Sequence, residues 1–424
     1  MVEIINIGDE LLIGQVVNTN ASWMAEQLNL SGFRVNQVTV ISDSRDHILN
    51  ALAEAGSRSS IVLISGGIGP TKDDITKHTL CDFFNCSLVF NQEAFDDVKD
   101  MFARRGYPVT ELNRQQAELP ENCTGIPNKL GTARGMWFEK GSPGGGKTIF
   151  VSMPGVPFEM KAMMTGYVIP WLKQRFITPF IFHRTILTQG VGESFLAAEI
   201  AGWENALPGH IRLAYLPQPG IVRLRLTGTG EDEDILHRQV EREVEKLEQL
   251  IPQYIFGYDG ETLEEIVGRI LAGTGTTLAT AESCTGGYVA HLVTSIAGSS
   301  AYFKGSVVAY SNSIKEQVLG VDPDTIRQYG AVSREVVTAM ALAVQRKFEA
   351  DYVIATSGIA GPGGGTPEKP MGTTWIAIAS PDGVVASHYL FGDSRDRNIR
   401  RTALQALNLL RKKINADNAG HADS

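Results

Sequence analysis

Cysteine is scarce in this chain, because Cys81, Cys86, Cys123 and Cys284 are the only four in 424 residues. Such sparse usage does not fit the disulfide framework of small secreted domains. Cys81 and Cys86, with His78 nearby, resemble half of a zinc site, but no second pair of ligands follows at zinc spacing. We therefore predict buried free thiols rather than a metal centre.

Long runs of one residue class are also absent. No stretch of about 18 apolar residues occurs, so no segment is expected to span a membrane. The start, MVEIINIGDELL, carries acids where a signal peptide needs a basic region and a long apolar run. The net charge is −9 without a long Lys/Arg run, which argues against nucleic-acid contact, since clustered cations supply that affinity. We expect a cytoplasmic protein without membrane or nucleic-acid partners.

Two α/β patterns flank a different middle part. Over residues 1–173, buried strand patterns such as VEIINIG and IVLISGG alternate with helical patterns, which indicates a parallel sheet covered on both faces. Residues 180–256 instead predict a small α+β module, and the α/β pattern returns over 260–415. The final helix is predicted to end near Ile414, and the polar residues 416–424 are expected to be disordered.

Residues 141–148, GSPGGGKT, match the phosphate-loop pattern letter for letter. That loop works only between a strand and a helix whose first N–H groups face the phosphates. Here TIFVSMPG follows, a β-branched run that predicts a strand. We therefore predict a hairpin between MWFEK and TIFVSM rather than an ATP site.

The segment AESCTGG, residues 281–287, falls where a predicted buried strand ends and a helix begins. Ser283 would place a hydroxyl at the carboxyl end of the strand, where open α/β sheets bind ligands. Thr285, Gly286 and Gly287 would expose backbone N–H groups without a Cβ in the way at the glycines. Two interpretations stay open: Ser283 caps the helix, or it is a nucleophile beside an anion-stabilising pocket.

A serine nucleophile needs a base, and no histidine stands in a recognisable triad arrangement. His291 falls on an apolar face of the same helix, where we expect a packing role. A lysine with a lowered pKa is the alternative base, and Lys315 follows a predicted strand end in VAYSNSIK. A plain surface lysine is the competing interpretation. Cys284 is a rival nucleophile that lacks a histidine partner.

A glycine-rich segment, SGIAGPGGGTP at residues 357–367, follows another buried strand pattern, DYVIAT. Such a loop offers bare N–H groups to a phosphate or an oxyanion. A floppy linker is the competing interpretation, but the segment lies between two predicted core strands.

These segments together resemble a known family. AESCTGG, YFKGSVVAYSN, TSGIAGPGGGTPEKPMGT and FGDSRDRNIR are similar to motifs of the C-terminal CinA domain, the nicotinamide mononucleotide deamidases. The resemblance implies an α/β Ser/Lys amidohydrolase that needs no cofactor. It assigns Ser283 as nucleophile and Lys315 as base, with Tyr310 orienting the lysine or relaying its proton.

The implied reaction converts nicotinamide mononucleotide to nicotinic acid mononucleotide and ammonia. Lys315 would remove the Ser283 proton, Ser283 would attack the carboxamide, and nearby N–H groups would hold the oxyanion. Arg suits bidentate contact with the ligand's phosphate. The predicted substrate-binding residues are Thr285, Gly286, Gly287, Asn312, Gly361, Gly363, Gly364 and Arg395.

In the N-terminal part, SGGIGPTKDD at residues 65–74 follows the strand IVLI. Gly66 and Gly67 would admit a phosphate close to the backbone. Asp73 and Asp74 would supply hard oxygen ligands for a divalent cation such as Mg²⁺. The competing interpretation is a helix N-cap followed by a first-turn acid.

This segment, with GDELL and MPGVP, resembles the molybdopterin-binding-like domain of CinA proteins, a three-layer α/β fold. Relatives of this type imply a metal-dependent ADP-ribose pyrophosphatase, in which water attacks a pyrophosphate. The resemblance also extends to pterin-binding domains. Asn20, Asn113 and Gly155 match positions that line the pocket.

The middle module resembles the KH-like linker of full-length CinA proteins but lacks the GxxG of nucleic-acid-binding KH domains. The leading hypothesis is a bifunctional enzyme of pyridine-nucleotide salvage. The alternatives are a pterin-binding module fused to a deamidase, or a non-enzymatic interaction protein related to competence or DNA damage. The family pattern also implies a homodimer.

Overall fold

The computed structural model describes residues 1–71, 74–104, 106–141 and 146–422. The chain forms two compact units. One comprises Met1–Phe182 with Thr229–Leu236, and the other comprises His183–Gly228 with His237–Ser424. Most of the predicted middle module therefore belongs to the same unit as the C-terminal α/β domain.

The first unit is built on a six-stranded sheet in the described part of the chain, in the order β2-β1-β3-β8-β7-β6. The strands β1, β2, β3 and β8 are parallel, whereas β7 runs antiparallel to both of its neighbours. A separate ribbon joins β4 to β5. The strands are β1 (Val2–Ile7), β2 (Val35–Ile41), β3 (Ile61–Ser65), β4 (Leu88–Phe90), β5 (Glu118–Pro120), β6 (Thr124–Ile126), β7 (Gly135–Gly141) and β8 (Lys147–Met153).

Helices cover both faces of this sheet. Successive strand residues point to opposite faces, so Ile4 packs with Met24 of α2, while Ile5 packs with Ile48 of α3. This confirms the predicted three layers. The helices are α1 (Asp9–Leu12), α2 (Thr19–Leu30), α3 (Arg45–Arg58), α4 (Thr76–Phe84), α5 (Gln92–Arg104), α6 (Glu111–Gln115), α7 (Pro157–Met163) and α8 (Ile169–Arg175), with a π-helical segment at Met164–Val168.

The strands on either side of the phosphate-loop-like motif form a hairpin, as predicted. The strands β7 and β8 pair antiparallel from Met136 and Ser152 to Gly141 and Lys147. No helix follows the motif, because residues 147–153 form a strand whose apolar side chains are buried in the sheet. Residues 142–145 lie outside the described part of the chain.

The middle module has a sheet in the order β10-β11-β9-β12. Alternate residues Val222, Leu224 and Leu226 of β11 are buried, which confirms that one face of this strand packs inward. The elements are β9 (Phe180–Gln189), α9 (Glu193–Asn205), β10 (Ile211–Gln218), β11 (Ile221–Gly230), α10 (Glu233–Leu250) and β12 (Ile255–Tyr258).

The C-terminal domain has a sheet in the order β14-β13-β15-β16-β17, in which β14, β13 and β15 are parallel. The helices α11 and α16 pack on one face and α15 on the other. The elements are α11 (Leu263–Thr274), β13 (Leu278–Glu282), α12 (Tyr288–Thr294), β14 (Phe303–Val308), α13 (Asn312–Gln317), α14 (Pro323–Tyr329), α15 (Arg334–Phe348), β15 (Tyr352–Gly358), β16 (Thr373–Ser380), β17 (Gly383–Leu390) and α16 (Arg395–Ala422).

The end of the chain differs from its prediction. The helix α16 does not stop near Ile414 but continues to Ala422, so the expected disordered tail is wrong for residues 416–422. Asp417 accepts a hydrogen bond from Tyr352 Oη at 3.0 Å and another from Lys413 Nζ at 2.5 Å. The Lys413 contact lies within the helix, whereas the Tyr352 contact fastens the Asp417 turn to the sheet.

The cysteines fit the prediction of buried free thiols in part. All four cysteines are free; Cys81 and Cys284 are buried, whereas Cys86 and Cys123 are half-buried. No helix in the described ranges combines the length and the apolar character that a membrane crossing requires.

Candidate active site

Three segments selected from the sequence meet at one edge of the C-terminal sheet. The parallel strands β14, β13 and β15 end at Val308, Glu282 and Gly358, and the register pairs Glu282 with both Val308 and Thr356. The turn after β13 carries Ser283, which donates its backbone N–H to Thr356 O at 3.0 Å. The parallel topology therefore explains why loops that are distant along the chain form one site.

Lys315 lies beside Ser283 and is buried. Its side chain is 1% exposed, and Nζ donates to Ser283 Oγ at 3.0 Å and to Ala309 O at 2.7 Å. Neither of these oxygens is a carboxylate. Burial lowers the pKa of the Lys315 amine, and only the neighbouring Cys284 opposes this effect. The interpretation of Lys315 as a plain surface lysine is therefore wrong.

The two rival roles at this turn do not fit the geometry. The residue that precedes α12 is Gly287, and no side chain caps it, so Ser283 is not the helix cap. Cys284 is buried, and desolvation raises the pKa of its thiol to about 12, which keeps it protonated near neutral pH. His291 is exposed rather than packed, because it lies on the outer side of α12.

Glu282 organises the turn, and the sequence reasoning missed it. Its fully buried carboxylate accepts hydrogen bonds from the N–H groups of Gly287, Val289 and Ala290 at 3.0, 3.0 and 2.8 Å. The sequence does carry a signal for this role, namely an acid at the end of a buried strand just before a helix. The N–H groups at the start of a helix attract anions. Glu282 thereby anchors the beginning of α12 to β13.

This arrangement corrects the predicted oxyanion donors. The N–H of Gly287 is held by Glu282, and that of Gly286 donates to Ser283 O at 3.1 Å. The N–H groups of Cys284 and Thr285 donate to no other residue in the described part of the chain. The Thr285 side chain is buried against Thr356, with the two Oγ1 atoms 2.7 Å apart. The glycines shape the turn, with φ of 62° and 98°, and their N–H groups already have partners within the chain.

Replacing Glu282 by Gln should destabilise the C-terminal unit. The amide keeps one acceptor oxygen but turns an NH₂ group toward N–H donors, so at least one buried donor loses its partner. We expect the free energy of unfolding to fall by about 2 kcal/mol, measured by urea denaturation. Glu335→Gln, at an exposed first-turn acid of α15, is the control and should change little. Equal stability of the two variants would contradict the anchoring role.

Arg395 joins the glycine-rich loop to the segment before Lys315. Its Nη1 donates to Gly361 O at 2.8 Å and its Nη2 donates to Tyr310 Oη at 2.7 Å. The structure thus brings together three residues predicted from the sequence. Tyr310 is 58% exposed and its described hydrogen bond is with Arg395, so orienting Lys315 or relaying its proton stays a prediction. It positions the arginine.

The glycine-rich loop is fastened at both ends. Ile359 N donates to Thr373 O and Gly372 N to Ile359 O, both at 2.8 Å, so the linker interpretation is wrong. Asn398 Nδ2 also donates to Ala360 O at 3.0 Å. The predicted ligand-contacting residues Gly363, Gly364 and Asn312 are all exposed at this edge.

A second candidate site lies in the first unit. A cavity of about 400 Å³ opens where β1, β3 and β8 end, and Gly66, Gly67 and Gly155 are in its wall, as are Ile7 and Pro154. Four carboxylates share this cavity, and the sequence predicted only Asp74 among them. They are Glu10, Asp43, Asp74 and Glu159.

The carboxylates of this cavity influence one another. Burial raises the pKa of Asp43. The negative charges of Asp9, Glu10 and Asp74 raise it further, whereas a hydrogen bond from the Asp9 N–H lowers it. Crowded hard oxygens of this kind fit a divalent cation. Among the described residues, however, no group of three or more His, Cys, Asp or Glu side chains could hold a metal ion.

The predicted metal ligands are only partly described. Asp73 lies outside the described residues. Asp74 Oδ2 accepts hydrogen bonds from Thr71 N, at 2.9 Å, and from Thr71 Oγ1, so this carboxylate closes the turn before α4. It nevertheless remains in the cavity wall.

Asn20 and Asn113 have structural roles. Asn20 Nδ2 donates to Gly155 O at 2.7 Å and to Ser65 Oγ at 3.2 Å, which holds the Gly155 turn against β3. Asn113 Oδ1 accepts from Thr110 N at 3.0 Å and from Thr110 Oγ1 at 2.6 Å. Asn113 thus completes the capping box of α6 and is absent from the wall of the glycine-lined cavity, against its prediction.

Replacing Gly66 by Ala should disrupt the first unit. Gly66 has φ of 120°, and a Cβ there would lie 2.1 Å from Ile7 O. We expect the free energy of unfolding to fall by about 3 kcal/mol, followed in urea by tryptophan fluorescence. Gly166→Ala is the matched control, because nothing lies within 4 Å of its added Cβ. Indistinguishable midpoints for the two variants would show that the turn adapts.

Comparisons with known proteins cover nearly the whole chain. Family models described as "CinA C-terminal domain", "Probable molybdopterin binding domain" and "Damage-inducible protein CinA KH domain" match residues 260–414, 3–174 and 183–257. A CinA-like protein of Cytophaga hutchinsonii is 48% identical over 412 residues, or 97% of each chain. One of Flavobacterium psychrophilum is 45% identical over 416 residues, covering 97% of this chain and 98% of that one. The solved competence/damage inducible protein CihA from Agrobacterium tumefaciens is 37% identical over 37% of this chain and 97% of its own, with a TM-score of 0.35.

Proposed function

Because the chain belongs to the CinA family and carries its molybdopterin-binding-like, KH and C-terminal domains, we propose that its C-terminal domain is an amidohydrolase. Its substrate is nicotinamide mononucleotide, and its products are nicotinic acid mononucleotide and ammonia. One observation carries this proposal: Lys315 Nζ lies 3.0 Å from Ser283 Oγ in a buried setting without a carboxylate partner.

The reaction begins with the neutral form of Lys315. Its lone pair accepts the Ser283 proton while one N–H still donates to Ala309 O. Ser283 Oγ then attacks the carboxamide carbon, and the N–H groups of Cys284 and Thr285 face the developing oxyanion. The Lys315 ammonium returns its proton to the leaving nitrogen, so ammonia departs and an acyl-serine remains. Water, deprotonated by Lys315, hydrolyses this ester and regenerates Ser283.

The specificity for a nucleotide rests on Arg395 and the glycine-rich loop. Arg395 uses Nη1 and Nη2 for Gly361 and Tyr310 but has further N–H donors. The exposed backbone at Gly363 and Gly364 leaves room for a phosphate, because no Cβ projects from it. These groups hold the phosphate while the carboxamide reaches Ser283.

The direct test is the release of ammonia from nicotinamide mononucleotide by the purified full-length protein. We expect one ammonia per nicotinic acid mononucleotide formed, measured by coupled assay and chromatography. No ammonia from the native protein would overturn the amidohydrolase and favour a non-enzymatic interaction protein.

For the first unit we propose a metal-dependent ADP-ribose pyrophosphatase, on the basis of the cavity that combines glycine backbone with four carboxylates. Asp74, with Asp43 and Glu10 in the same wall, would supply part of the ligand set of a divalent cation such as Mg²⁺, because no three described carboxylates are grouped closely enough to hold the ion by themselves. When bound, the ion would neutralise charge on the pyrophosphate. The glycine turns admit the phosphates, and Asn20 fixes the turn at Gly155.

AMP release from ADP-ribose, with and without Mg²⁺, tests this second activity. Binding of a pterin without AMP release would favour the alternative of a pterin-binding module. The homodimer and the absence of nucleic acid among the partners stay predictions, which light scattering and a gel-shift assay can check.

A further inference from the structure

A further cavity lies within the second unit, between the middle module and the C-terminal domain. Its volume is about 690 Å³, within the range typical of small-molecule sites. The two parts share one hydrophobic core there, since Leu187 and Phe256 pack in the same cluster as Leu404. The wall of the cavity is therefore formed by parts that pack together.

An aromatic pair forms one side of the cavity. The rings of Tyr389 and Phe391 lie parallel, at 1°, with centroids 5.5 Å apart. Gln405 Nε2 donates to Tyr389 Oη at 3.1 Å and keeps this ring in place. Both aromatic residues are half-buried, so a planar group could stack on exposed ring surface.

Two cations without a described ion pair border the same space. Arg401 Nη1 donates weakly to Phe391 O at 3.3 Å, while its buried Nε has no partner. Lys412 Nζ donates to Gln253 O at 3.1 Å, and burial lowers its pKa, as does the nearby Arg411. The one carboxylate in the wall is that of Glu193. The net local charge favours an anion.

A buried amide supplies an independent sign of a ligand. Gln189 is 2% exposed and lines the cavity, yet its Oε1 has no hydrogen-bond partner. Buried side-chain acceptors are rarely left unpaired, because the desolvation cost is then uncompensated. The adjacent Gly190 has φ of 89° and open space around it, so the chain can approach a ligand closely.

We propose that this cavity binds a small phosphorylated ligand with a planar ring, that is, a nucleotide. The ring stacks on Tyr389 and Phe391, Arg401 and Lys412 contact the phosphate, and Gln189 Oε1 accepts a hydrogen bond from the base. This site is separate from Ser283 and adds a third ligand to the two of the proposed function.

The test uses the full-length protein and the photoreactive probe 8-azido-AMP, followed by peptide mapping. We expect label on the peptide that contains Tyr389 and Phe391, and competition by unlabelled AMP. The double variant Arg401→Gln/Lys412→Gln should reduce this label at least about tenfold, since both charge-assisted contacts are lost. Arg400→Gln, at the exposed neighbour of Arg401, is the control and should label normally.

A second variant distinguishes loss of the binding site from misfolding of the protein. Gln218 is exposed and lines the cavity, so Gln218→Trp fills the space with little effect on the fold and should also reduce the label. Absence of label at Tyr389–Phe391, label that persists in both variants, or displacement by single-stranded RNA but not by AMP would overturn the proposal.

Discussion

The Ser283→Ala variant is expected to lose at least about 1,000-fold in kcat for the hydrolysis of nicotinamide mononucleotide, with little change in KM. The hydroxyl is the group that forms the acyl intermediate, whereas Arg395 and the glycine-rich loop still bind the phosphate. Ammonia release in steady state measures kcat, and a substrate titration measures KM.

Ser295→Ala is the matched control, because this exposed serine directly follows α12 and its hydroxyl donates to Leu292 O, away from the site. It should retain native activity. If the native protein releases ammonia and Ser283→Ala does so at the same rate, the amidohydrolase stands and the nucleophile assignment is wrong.

The Lys315→Met variant is expected to lose about 10² to 10⁴-fold in kcat, the usual contribution of a general base. Methionine is of similar length and suits the buried surroundings, so the fold should be retained. Lys304→Met, at an exposed lysine on β14, is the control and should be fully active. A thermal melt separates lost catalysis from unfolding. Native-like turnover by Lys315→Met would exclude the lysine as base.

The pH dependence follows from the burial of Lys315, which holds the pKa of its amine below the ordinary value of 10.5. The base must be unprotonated, so kcat should rise with pH through that lowered pKa and then level off. The free energy of unfolding is also expected to rise with pH. Between the lowered pKa and the ordinary one, the unfolded chain binds more protons, so the Lys315 contribution to stability rises with pH. Lys315→Met should lack both effects.

Periodicity and motif position predicted much of the fold. The alternation of buried strands and helices predicted the three layers of the first unit, and the β-branched run after GSPGGGKT predicted the hairpin of β7 and β8. The helical extension to Ala422 was not predictable, because Asp417 is held by Tyr352, a contact between residues distant along the chain. Local composition cannot report such a contact.

The candidate active site likewise combines features that the sequence predicts with features that only the tertiary structure fixes. The sequence by itself determined that Ser283 follows a buried strand and that a lysine and a glycine-rich loop follow other strand ends. Parallel strands present these ends at one edge of the sheet. Only the tertiary structure decided which groups are free to react. It buried Lys315 next to Ser283, assigned the Gly287 N–H to Glu282, and turned Tyr310 toward Arg395. Burial and hydrogen-bond partners arise from packing between segments far apart along the chain, which residue spacing does not encode.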